Sequence, residues 1–184
     1  MEKSMKHILA GLAILTLAAC NGSTKVAEAG DGTSICPPSE VISDVATYRN
    51  DQTEAQEDYA AWHAANGKRA GVTTTASGLQ YQVIKKGSSN GPSPAPTDVV
   101  KVNYQGFLLD GKVFDSSYAR NEAIEFPLNR VIKGWTEGVG LMKPCDAWTF
   151  YIPGEIAYGD RGSPRAGIGP NATLGFHVQL IEVK

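Results

Sequence analysis

Asp115 is followed directly by Ser116 and Ser117 in the stretch KVFDSSYARN (112–121), a carboxylate beside two hydroxyls. That grouping raises a hydrolytic site, with Asp115 as acid or base and one serine as nucleophile. Such chemistry also needs a base to take the hydroxyl proton, ordinarily a histidine. The chain has three, His7, His63 and His177. His7 lies in an apolar leader, and His63 lies on a helical segment far upstream, where it reads as a solvated side chain. His177 alternates against Phe176, Val178 and Leu180, which predicts an outward-facing strand position. There is no G-x-S-x-G turn, no phosphate-cradling glycine loop, and no pair of His or Cys at metal-ligand spacing. The sequence therefore implies no metal and no cofactor. The formal net charge of -2, without a basic run, points away from nucleic acid.

Aromatic side chains are abundant instead. Eleven of the fifteen lie between Tyr104 and Phe176. A packed core takes several of them, and a concave apolar surface is a reasonable use for the others.

Short strands must position these groups. GLQYQVIKKG (78–87) alternates Leu79, Tyr81 and Val83 against polar neighbours. VVKVNYQGFLLDGKVFDSS (99–117) reads as two strands joined at Asp110-Gly111, a dipeptide that favours a tight hairpin. Residues 146–153 and 173–184 read as two further strands. RVIKGWTEGVGLM (130–142) has the spacing of one short helix with Val131, Trp135, Val139 and Met142 inward. Upstream, TEAQEDYAAWHAANG (53–67) predicts a helix, with Thr53 and Gln56 at capping-box spacing, Asn66-Gly67 as its stop, and Tyr59 and Trp62 on a docking face. Residues 39–52 are ambiguous between a short helix and a strand. The pattern predicts an α+β fold, a twisted antiparallel sheet of about five strands wrapped around one short helix and preceded by a short helical arm.

The chain begins with Lys3, Lys6 and the apolar run ILAGLAILTLAA, the form of a signal peptide rather than a membrane span. The run ends in LAAC, which resembles the lipobox of bacterial lipoproteins and makes Cys20 the lipidated residue. Asn21 after it favours the outer membrane. The expected organisation is a signal peptide at 1–19, a polar glycine-rich tether at 20–38, a helical arm at 39–71 and a globular domain at 72–184. An exported chain would leave Cys36 and Cys145 in an oxidising compartment, where they either pair or stay free.

The run VKVNYQGFLLDGKVFDSSYARNEAIEFPLNRVIKGWTEGVGLM, then YIPGEIAYGDRG and GPNATLGFHVQL, resembles the FKBP-type peptidyl-prolyl cis-trans isomerases across residues 78–184. The resemblance implies an FKBP-like sheet around a helix, with a pocket between them. It implies Trp135 as pocket floor, with Tyr104, Phe114, Phe126, Val131, Ile132, Tyr158, Ile168 and Phe176 as walls. The N–H of Ile132 and the hydroxyl of Tyr158 would hold peptide carbonyls. Asp115 would sit at the rim with Tyr104 and Arg120. Tyr104, Phe114, Asp115, Ile132, Trp135 and Tyr158 would be the catalytic set. Proline-containing polypeptide clients are implied, and macrolide inhibitors of the class are possible ligands. The rival function is a non-catalytic chaperone or binding module on the same fold. The chain also looks like exported two-part members such as the macrophage infectivity potentiator group. Its arm is shorter than their dimerisation arm, so a monomer or weak dimer is expected. Cys145 stands where glycine is common in the family.

Overall fold

The computed structural model describes residues 34–48, 58–87 and 90–184. Eight strands among them form one antiparallel sheet: β1 (Ser34–Ile35), β2 (Val72–Thr74), β3 (Gln80–Lys85), β4 (Val99–Leu108), β5 (Val113–Ser116), β6 (Ile124–Pro127), β7 (Ala147–Ile152) and β8 (Leu174–Val183). The order is β2-β3-β7-β8-β4-β5, with β1 added to β8 and β6 to β4. Three helices accompany it, α1 (Tyr59–Asn66), α2 (Ser117–Arg120) and α3 (Lys133–Leu141). The four long predicted strands and the 130–142 helix are all present. The expected five become eight because β1, β2 and β6 have only two, three and four residues, too short to show alternation. No helix among the described residues is long and apolar enough to cross a membrane.

Alternation on β4 and β8 sends Val100, Val102, Tyr104, Phe176, Val178 and Leu180 to the inner face, where α3 packs with Trp135, Val139 and Met142 buried. A Cβ at Gly138 would lie 2.9 Å from the Phe150 ring. The helix backbone thus sits directly on β7, and any larger side chain there would lift it off.

The outer face of the sheet is also covered, which overturns the surface position expected for His177. An N-terminal strap, residues 36–48, lies across β8. The Ile42 N–H donates to Gln179 Oε1 at 2.7 Å, and Gln179 Nε2 donates to the Glu40 carbonyl at 2.9 Å. Tyr48 stacks on the His177 ring at 4.6 Å between centroids, and the Phe107 ring lies tilted against it at 4.7 Å. Thr149 Oγ1 is 2.9 Å from His177 Nδ1. His177 is 1% exposed. It does alternate against Phe176, but both faces of the strand are core.

Burial pushes the His177 pKa down from 6.5 to about 4. The unfolded chain therefore binds a proton between those values that the folded chain refuses, so stability falls as pH drops through this window. The loss between pH 7.5 and pH 5 should be about 2 kcal/mol from this group. Urea unfolding at the two pH values reads it, and His177→Gln should flatten the slope. Equal slopes in the two proteins would refute the assignment.

The arm docks on its own domain through Trp62, whose ring meets Tyr151 at 5.3 Å. α1 starts at Asp58, whose carboxylate accepts from the Ala61 N–H at 2.9 Å. The Thr53–Gln56 spacing lies outside the described residues. His63 is not freely solvated. It is half-buried with Nε2 2.9 Å from the Gly78 carbonyl, and burial lowers its pKa.

The question left open by Cys36 and Cys145 is answered by a disulfide between them, Cα to Cα 5.0 Å. Because β1 pairs with β8, residues 34 and 35 belong to the sheet, inside the segment expected to be tether. Residues 39–48 form neither a regular helix nor a strand but two 3₁₀ turns, Pro38–Glu40 and Val45–Thr47, joined by extended chain.

Candidate functional site

A hairpin turn at Asp110-Gly111 folds β5 back on β4, with Gly111 at φ +83° and its N–H donating to the Leu108 carbonyl at 2.9 Å. The register sets Gly106 opposite Asp115 on one side and opposite Phe176 on the other. Because Gly106 has no side chain, the Phe114 and Phe176 rings close over it and meet edge to face at 5.5 Å.

Those rings form one wall of an open cavity of about 540 Å³ between the sheet and the N-terminal end of α3. Trp135 lies at its base, 5% exposed, with Tyr104 at 5.4 Å, Phe126 at 5.6 Å and Phe176 at 5.2 Å. Val131 and Ile132 enter from the turn before α3, and Tyr158, 43% exposed, stands on the loop opposite. The Ile132 carbonyl accepts from Trp135 and Thr136, whereas its N–H has no acceptor among the described residues. The Tyr158 hydroxyl likewise has no partner among them, and burial raises its pKa.

The polar rim is a clamp. The Tyr104 hydroxyl donates to Asp115 Oδ2, and Arg120 Nη1 donates to Asp115 Oδ1 at 2.6 Å. Arg120 Nη2 also donates to the Tyr104 oxygen at 3.2 Å. Burial would raise the Asp115 pKa, but the hydrogen bonds from Tyr104 and Arg120 and the Arg120 charge outweigh it and hold the carboxyl below its usual range. Burial, and then the bond to Asp115, pushes Tyr104 up to about 12. Both groups keep fixed charge states near neutrality, Asp115 ionised and Tyr104 protonated. Neither is poised for proton transfer.

The serines have other work. Ser116 Oγ accepts from the Ala119 N–H at 3.2 Å and caps α2. Ser117, fully buried, accepts from the Tyr104 N–H at 2.8 Å. Neither has a histidine partner among the described residues, where His63 and His177 are bonded elsewhere. Among the described residues nothing is placed to activate either serine as a nucleophile.

The structure gathers nine of the eleven expected site residues around the cavity. Arg120 stands just outside and reaches it through Asp115 and Tyr104. Ile168 does not form a wall. It is 3% exposed in the core, its N–H and carbonyl both bonded to the backbone of Ser163. Sequence reasoning missed Ile124, Glu125 and Arg130, which also line the cavity. They sit on or next to β6, whose ladder to β4 was not visible in a four-residue run ending in proline.

Comparison with known proteins agrees with this geometry. The family model for the FKBP-type peptidyl-prolyl cis-trans isomerase matches residues 91–181, and that for the domain amino terminal to it matches residues 38–83. The peptidyl-prolyl cis-trans isomerase Mip of Coxiella burnetii is 50% identical over 124 residues, 67% of this chain and 53% of that protein. The crystal structure of FkpA from Escherichia coli is similar at TM-score 0.63 and 45% identity, covering 67% of this chain and 56% of that one. A peptidyl-prolyl isomerase structure from Pseudomonas syringae gives TM-score 0.62 and 34% identity, covering 67% and 89%. The chain spans about half the length of the curated relatives it matches.

Proposed function

Because the chain belongs to the family of FKBP-type peptidyl-prolyl cis-trans isomerases, we propose that it accelerates rotation about X–Pro bonds in polypeptide clients, without a covalent intermediate. The aromatic cavity floored by Trp135, with no serine, cysteine or histidine among its lining residues, is the observation that carries this reading. X–Pro rotation is slow because the amide loses resonance at the twisted transition state, a barrier near ~20 kcal/mol. No bond to carbon breaks and no proton need move. Water solvates the planar, polar amide better than the twisted one, so an apolar cavity favours the twisted form. Lowering the barrier by about 5 kcal/mol gives roughly four orders of magnitude in rate.

In this reading the proline ring rests on Trp135 between Phe114, Phe126 and Phe176. The unpaired N–H of Ile132 and hydroxyl of Tyr158 hold carbonyls on either side of the bond. Val131 and Ile132 close the wall, and the Tyr104–Asp115–Arg120 clamp fixes the rim. A macrolide that fills the same cavity would compete.

A protease-coupled assay on X–Pro peptides tests the proposal. A folded protein that does not speed isomerisation would leave only the chaperone function. Asp115→Asn should lower kcat/KM about tenfold by loosening the clamp, whereas Ser116→Ala should cost about 1 kcal/mol of stability through the lost cap and leave turnover within a factor of two. Equal effects from the two substitutions would argue against the clamp.

We also propose attachment through a lipidated Cys20 to the periplasmic face of the outer membrane, supported by the LAAC sequence with Asn21. Cys20→Ala should move the chain from the membrane fraction to the soluble one. Continued sedimentation with membranes would refute the anchor.

A further inference from the structure

Three charged side chains line the cavity, Asp115, Glu125 and Arg130. Two of them are already compensated. Asp115 is held by Arg120 at 2.6 Å. Glu125 is held by Lys184 at 2.9 Å and Lys101 at 3.5 Å, and Lys184 also reaches Glu182 at 3.7 Å. Arg130 is the third. It ends the 3₁₀ turn Leu128–Arg130, is exposed, and has no carboxylate within ion-pair distance among the described residues. Both lining carboxylates are thus paired with cations from outside the lining, which leaves Arg130 as the lining charge without a counter-ion among the described residues.

The uncompensated charge has a defined place. Arg130 lies two residues before Ile132, which lines the same cavity and whose N–H has no acceptor among the described residues, and next to Val131. A peptide seated on Trp135 with a carbonyl at that N–H brings a neighbouring side chain toward the guanidinium. A planar five-donor group there favours a carboxylate, which it can bind through two parallel hydrogen bonds, and disfavours an ammonium.

We propose that Arg130 selects clients in which the proline is flanked by an acidic residue. The proposal rests on the isomerase reading of the cavity and adds a specificity that the apolar walls cannot supply. An exposed pair of this kind changes kcat/KM by about two- to fivefold. The discrimination is electrostatic, so it weakens as salt shortens the screening length.

The experiment compares peptides of one length with Glu, Gln or Lys immediately before or after the proline. Turnover and affinity are both measured, affinity by tryptophan fluorescence, at low and high salt. The expected result is a Glu-to-Lys ratio of two or more at one flanking position at low salt. That ratio should approach one in high salt, fall to about one in Arg130→Gln, and invert in Arg130→Glu. A ratio near one in the unmodified protein, or the same ratio in both variants, overturns the proposal. The Gln peptide keeps the two readings apart. Failure to turn it over would count against isomerase activity, while the affinity ratio would still decide the role of Arg130.

Discussion

Replacing both Cys36 and Cys145 with alanine is expected to lower the unfolding free energy by about 4 kcal/mol. The bridge spans a sequence separation of 109, and closing a loop near that size removes roughly 4–5 kcal/mol of unfolded-state entropy. It also fixes the strap whose Ile42 and Tyr48 cover the outer face of β8. Denaturant unfolding of the oxidised protein and the double variant measures the difference. A loss below about 1 kcal/mol would show that packing alone holds the strap. A finer expectation concerns Cys145 itself, which has φ +74°, in the region that favours glycine. An L-residue there costs about 1–2 kcal/mol. With the bridge absent, glycine at 145 should therefore be more stable than alanine by about 1 kcal/mol.

The second large effect is expected at Gly106, a residue that touches no client. A Cβ at this position would lie 2.6 Å from the Phe114 ring and 2.8 Å from Phe176. Phe176 cannot retreat freely because it also packs against Trp135, so Phe114 must shift into the cavity. Gly106→Ala should cost about 1–3 kcal/mol through overpacking and lower kcat/KM by about a hundredfold, since displacing a cavity wall by an ångström misaligns the bound amide. Circular dichroism would confirm the fold, and isomerase rates at a temperature where the variant is folded would read the loss. A rate within threefold of the parent would show that the Phe114–Phe176 contact does not set the geometry.

Features coded by local chemistry were legible in the sequence. The β4–β5 hairpin followed from Asp110-Gly111, and α3 from the spacing of Val131, Trp135, Val139 and Met142. The Tyr104, Phe114, Phe126, Trp135 and Phe176 set was named from the family resemblance, and the five side chains line one cavity. What depended on distant segments was not legible. His177 alternates as a surface residue does, and only the strap, more than a hundred residues away in sequence, makes it core. The polar residues that hold that strap, Gln179 above all, look solvent-facing by composition. Arg130 and Glu125 escaped because β6 is recognisable only through its pairing with β4. Ile168 was misplaced because its loop closes on itself through a bridge to Ser163.

The disulfide has a mechanical consequence as well. Tension applied to the N-terminal side of the chain and resisted at the C-terminus meets the β1–β8 pairing, crosses from Cys36 through the sulfur atoms to Cys145, and continues into β7 and β8. Residues 37–144 form a covalent loop off that path. Tyr104, Phe114, Asp115, Phe126, Arg130, Ile132 and Trp135 all lie inside it. A domain pulled from its N-terminal side would strain β1 and its final two long strands first, while most of the cavity stayed slack.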